Sequence, residues 1–231
     1  MAELDPGGTD PAMRRMVLIG HSQGGLLTKL AVVDSGTKFW DNVSETPFEE
    51  LRVSGETRAI LQRSLFATPL PFVDRVVFVA TPHQGSDVAG FLVERLRWLV
   101  VWGLTLPPSL IRITGETMVG SEDPRLRLHL RQGLPRSVDN MSPGNRAIKT
   151  LATLPVASSV TAHSIVAIKG GSSLGEGGDG VVSYRSAHLD GTVSELIVRS
   201  GHSVQEHPQA IEEIRRILLQ HLGNAGPATG W

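Results

Sequence analysis

The chain has 231 residues, with 22 Lys+Arg against 23 Asp+Glu and a formal net charge of -1. That balance excludes the electrostatic footprint of a nucleic-acid binder, and no basic run supplies one locally. Hydrophobic residues make up 40% and charged residues 19%, which excludes wholesale disorder, and the absence of Cys excludes a disulfide scaffold, a Cys-liganded metal and a Cys nucleophile.

The segment before Met16 is polar and broken by Pro6, Gly7, Gly8 and Pro11, without the apolar stretch of a signal peptide. Met16-Val17-Leu18-Ile19 is a short apolar run ending at Gly20 and reads as a buried strand. From Gly24 to about Asp34, Leu26, Leu27, Leu30 and Val33 recur at helical spacing, and Gly36 closes the segment. Residues 37–70 read as irregular, with a short helix around Arg58 to Leu65. Val73 to Ala80 is a second buried strand. An amphipathic helix is predicted at about Val88 to Leu104, followed by Pro- and Arg-containing turns to residue 135. Its uninterrupted apolar part, Trp98 to Leu106, is too short for an integral membrane segment. Val160 to Lys169 is a third strand, followed by a Gly/Ser-rich loop to Gly180, and Ser194 to Arg199 is a fourth. His207 to Leu222 is a closing helix, with Pro208 near its start, Gly223 at its end and Ile211, Ile214 and Leu218 as one face. Strands alternating with helices predict an α/β fold with a mainly parallel sheet, in a single domain over residues 1–231.

The pattern Gly-x-Ser-x-Gly occurs twice, and context separates the two. Gly20-His21-Ser22-Gln23-Gly24 follows a strand and opens a helix, the strand–turn–helix that a nucleophilic serine requires. Glycines on either side let strand and helix approach while the turn lifts the Ser22 hydroxyl above the strand ends. The helix N-terminus then points its N–H groups at a developing oxyanion. Gly171-Ser172-Ser173-Leu174-Gly175 runs into further glycines and reads as a loop.

A serine at neutral pH needs a general base, and a His base needs an orienting carboxylate. In a strand-elbow architecture these follow the serine in the order carboxylate, then His. Asp179 stands between Gly178 and Gly180 beyond the third strand, where a carboxylate can turn inward or simply make a turn. His202 follows the fourth strand and precedes the last helix, at the end of the sheet where ligand sites lie. His207, beside Pro208, is the alternative base. His21 lies inside the elbow, placed to pack or meet substrate rather than to transfer protons. No His or carboxylate spacing has the pattern of a metal site.

MVLIGHSQGG (16–25), VVFVATPHQGS (76–86), DGVVS (179–183) and GHSVQEHPQAIEEI (201–214) together resemble the α/β-hydrolase family, in particular its bacterial lipase-like serine esterases. The resemblance implies a Ser22–His202–Asp179 triad acting through an acyl-enzyme on a small-molecule or lipid ester, without a cofactor. It implies that Gln23 supplies one oxyanion N–H and that Thr81-Pro82-His83 lies near the active-site floor, where His83 touches substrate or serves the structure. Residues 37–70 and 87–135 would be cap-like helical inserts, with Trp98 and Trp102 among the apolar residues facing an acyl or aromatic group. The same site could serve an acyltransferase or thioesterase.

In that family the elbow follows the fifth of about eight strands, whereas here sixteen residues precede Val17. The expectation is therefore a partial α/β-hydrolase fold without the usual second oxyanion loop. Its elbow strand would present an exposed edge open to self-association. A weakly active or silent fragment working through binding or assembly is the alternative function. The compartment is left open, since any export signal would lie upstream.

Overall fold

The computed structural model of the chain describes residues 5–7, 9–86, 108–131, 144–170, 173 and 175–223. Trp98, Trp102 and the helix expected at 88–104 lie outside these residues. Four strands, β1 (Met16–His21), β2 (Val73–Val79), β3 (Thr161–Ala167) and β4 (Ser194–Val198), form one sheet in that order, and every pair is parallel. The helices are α1 (Gln23–Leu30), α2 (Lys38–Asp41), α3 (Gly55–Leu65), α4 (Pro108–Gly120), α5 (Pro124–Arg131), α6 (Arg146–Thr153), α7 (Tyr184–Ala187) and α8 (Pro208–Gly223). This is an α/β arrangement, a parallel sheet flanked by helices. Among the described residues no helix is long and apolar enough to cross a membrane.

The pleat explains why the central strands carry consecutive apolar residues, Val76 to Val79 in β2 and Ile165 to Ala167 in β3. Alternate side chains go to opposite faces, and both faces are covered. Val77, Val79, Ile165 and Ala167 join Val17 and Val198 against Ala210 and Ile217 of α8. Leu18, Val76, Phe78 and Ala162 pack on the other face around Val32, just beyond α1. The chain between β1 and β2 also meets the chain between β2 and β3: Trp40, Phe48 and Leu51 pack with Leu126 of α5. Asp123 ties them by accepting hydrogen bonds from the Ser44 hydroxyl and the Glu45 and Thr46 N–H groups.

Two local expectations are corrected. Where turns were expected after residue 104, the chain forms α4 and α5, and each begins at a proline, Pro108 and Pro124. At the first helical position a proline costs no hydrogen bond and its fixed φ suits the helix, so these prolines start elements rather than end them. The inward face of the closing helix is also shifted from the expected stripe. Ile214 packs against the core and Leu218 is partly buried, as expected, but Ala210, Ile217 and His221 are the buried residues and Ile211 is 51% exposed. His221 donates to the carbonyl of Arg15 at 3.0 Å, and Glu213 with Arg216 reaches toward Ser194 of β4. Those polar contacts set the helix's rotation, and an apolar stripe could not reveal them.

β1 lies at an edge of the described sheet. Met16 donates its N–H to Phe72 and Ser22 donates to Val79, so the even-numbered residues bond inward to β2. Val17, Ile19 and His21 accordingly direct their backbone groups outward. Ile19 is 45% exposed on this edge.

Candidate active site

The last residue of β1 is His21 and the first of α1 is Gln23, so the whole reversal falls on Ser22. Ser22 sits at φ 54°, ψ -127°, a conformation an L-residue holds only under constraint. The constraint is visible on both sides. The Ser22 N–H bonds the carbonyl of Val79 at 2.9 Å, and its own carbonyl accepts from Gly25 at 2.9 Å. Close approach of α1 to the sheet needs two glycines. A Cβ on Gly20 would stand 2.6 Å from the Gly25 Cα, and one on Gly25 would stand 1.9 Å from Thr81 Oγ1. At Gly24 a Cβ would meet nothing within 4 Å. Of the two helix glycines, the packing therefore demands Gly25, one place beyond the pentapeptide pattern, rather than Gly24.

Asp179 is 2% exposed. Its Oδ1 accepts the N–H groups of Val181 at 2.8 Å and Val182 at 2.7 Å, and Gly180 turns the chain at φ +94°. Its Oδ2 lies 2.7 Å from His202 Nδ1. Burial pushes the Asp179 carboxyl up, but the hydrogen bonds from His202, Val182 and Val181 outweigh it and hold the group below its ordinary value. An ionised carboxylate only accepts, so Nδ1 carries the ring proton and Nε2 is left as the acceptor. His202 Nε2 stands 2.8 Å from Ser22 Oγ. Hydroxyl, imidazole and carboxylate thus form one hydrogen-bonded chain drawn from the ends of β1, β3 and β4, able to draw the Oγ proton onto Nε2. His207 takes no part: its Nδ1 accepts the N–H of Gln209 at the start of α8.

The remaining sequence candidates have different surroundings. Gln23 opens α1, so its N–H lies at the helix N-terminus beside Ser22. His21 donates from Nε2 to the backbone carbonyl of His202 at 2.9 Å. His83 is interior, its ring edge-on to Phe78 at 4.8 Å, and both its nitrogens lack a partner among the described residues. Burial, with the nearby Lys29 and His188, lowers its pKa to about 3. Lys29, also fully buried, is lowered to about 8 by burial.

The segment around His83 has a role that its sequence did not announce. The Ser86 hydroxyl donates to Val181, the Ser186 hydroxyl donates to Gly85, and the Gln84 N–H donates to Ser186. The loop after β2 is thereby stapled to the loop that carries Asp179. Among the described residues no group of three or more His, Asp or Glu side chains is placed to hold a metal ion.

No protein-family model matches the chain, and no curated protein matches it. Among solved structures it is similar to a Bacillus licheniformis lipase in its mature form, at 14% identity and TM-score 0.43 over 89% of this chain and 66% of that one. It is similar to Staphylococcus hyicus lipase at 12% identity and TM-score 0.47, over 91% and 71% of the two chains. To lipase 1 from Pelosinus fermentans the figures are 16% and 0.39, over 81% and 65%. The chain spans 36% of the Bacillus licheniformis lipase in its propeptide form. At identities this low the function has to be read from the site's own geometry.

Proposed function

We propose that the chain is a serine hydrolase acting on carboxylic esters, with Ser22 as nucleophile, His202 as general base and acid, and Asp179 as the orienting carboxylate. The observation that carries the reading is the chain of hydrogen bonds from Ser22 Oγ through His202 to the buried Asp179, mounted on a strained elbow at a helix N-terminus. Oγ attacks the ester carbonyl as Nε2 takes its proton. The imidazolium stands against the ionised Asp179 and returns the proton to the leaving alcohol, giving an acyl-enzyme. Water, activated by the same ring, then releases the acid. The Gln23 N–H at the start of α1 stabilises the tetrahedral oxyanion. The lipase neighbours fit an ester or lipid ester as substrate, and the insert segments would cover it as a cap.

The outward-facing edge of β1 supports a further part of the reading. A strand laid against Val17, Ile19 and His21, parallel to β1, would end beside Ser22, where a second oxyanion donor is needed. Loss of one such donor costs roughly 100- to 1000-fold in turnover. Unless residues outside the described ones fill that place, the chain by itself is either a weak esterase that associates through this edge or one that needs an upstream segment to work. The test is labelling by a fluorophosphonate together with p-nitrophenyl ester hydrolysis. Modification of Ser22, abolished in Ser22→Ala, is the expected result, and an unlabelled Ser22 in folded protein would overturn the proposal.

A further inference from the structure

We propose that His21 is a positioning residue for His202, holding the main chain of the base to the nucleophile's own elbow; this rests on the hydrolase reading above. The geometry follows from the pleat. Val17 points to the face of the sheet covered by α8, and residues two apart share a face, so His21 points there too. The loop from Ser200 to Ser203 that carries His202 lies at the same end of the sheet, between β4 and the short helix leading into α8. The His21 ring therefore meets the base's loop from within the elbow. Its Nε2 is 2.9 Å from the carbonyl oxygen of His202, and the two rings lie 5.0 Å apart at 45°.

A carbonyl oxygen only accepts, so the proton is on His21 Nε2. His202 is then fixed at three points: Nδ1 by Asp179, Nε2 at Ser22, and its own carbonyl by His21. Asp179 and Ser22 fix the ring but not the backbone that carries it. The bond from His21 does so, and it comes from the residue next to the nucleophile. Any shift of the elbow is therefore shared by the base, and the Oγ–Nε2 distance is kept. Misplacing a reacting group by about 1 Å can cost about 100-fold in rate, the scale of the effect expected here.

The experiment compares His21→Leu, which removes the donor, with His21→Gln, whose amide can reach the same carbonyl. On p-nitrophenyl acetate and butyrate, His21→Leu should lower kcat about 10- to 100-fold by a common factor, with KM unchanged. His21→Gln should recover most of the loss. In proton NMR the downfield His202 Nδ1–H signal should survive in Ser22→Ala and His21→Gln and broaden or vanish in His21→Leu. A KM effect that grows with acyl length would make His21 a substrate contact and overturn the proposal. So would an undiminished kcat, or an unchanged Nδ1–H signal, in His21→Leu. Hydrolysis retained in Ser22→Ala would sink the hydrolase reading instead, and the NMR comparison would still decide the positioning role.

Discussion

Gly25→Ala puts the elbow's packing to the test. The added Cβ would stand 1.9 Å from Thr81 Oγ1, 2.6 Å from its Cγ2 and 2.7 Å from its Cβ. Carbon atoms in contact settle near 3.5–4.0 Å, so every one of these approaches is too short by about an ångström or more. Rotating Thr81 moves Oγ1 and Cγ2 but not its Cβ, and Thr81 stands two residues beyond β2, after Ala80, whose N–H is bonded to the carbonyl of Ile165. Relief must come from α1 moving off the sheet. Overpacking of this kind costs about 1–3 kcal/mol, and the fixed backbone on both sides places Gly25→Ala at the upper end, about 3 kcal/mol. Thr81→Ala in the same chain removes two of the three clashing atoms and should restore more than half of the loss. Gly24→Ala meets nothing within 4 Å and should change stability by less than about 0.5 kcal/mol. Urea unfolding of the four proteins measures this directly. Equal costs for Gly24→Ala and Gly25→Ala would refute the reasoning, because the pentapeptide pattern rather than the packing would then decide which glycine matters.

The triad reading predicts that Ser22→Ala and His202→Ala each lower ester turnover by about a million-fold, and Asp179→Asn by about ten-thousand-fold, with His207→Ala close to wild type; an inactive His207→Ala beside an active His202→Ala would reassign the base. Acid stability should depend on His163. The Arg75 guanidinium, which can only donate, bonds its Nε2, and burial together with Arg75 lowers its pKa to about 4. The unfolded chain takes up this proton near pH 6.5 and the folded chain only near 4, so stability is full above 6.5 and falls between the two. His163→Gln should flatten that part of a urea-midpoint profile, and an unchanged slope would count against it. Light scattering of the purified chain should show self-association that Ile19→Lys reverses, since a charge on an open edge opposes strand pairing; a monomer with ordinary esterase turnover would contradict the edge argument.

Much of the fold was legible because its signals are local. The apolar runs Met16–Ile19, Val76–Ala80 and Ile165–Ile168 mark strands, and the alternation with helices implies a parallel sheet whatever the details of packing. The residues at the site were legible for a similar reason. A Ser held between strand and helix, a glycine-flanked Asp beyond one strand and a His beyond the next stand at the strand ends, and a parallel sheet gathers those ends on one side. Tertiary structure decided what depends on partners distant in sequence. Ser22 and His202 lie 180 positions apart, and their separation of 2.8 Å depends on the register of three strand pairs. Gly25 is required only because Thr81 arrives from the next strand. His83 is interior with its ring against Phe78 of β2, and His21 meets the carbonyl of His202 because the pleat and the final loop share a face. Composition and spacing carry no information about such contacts, since each is set by where a second segment comes to rest.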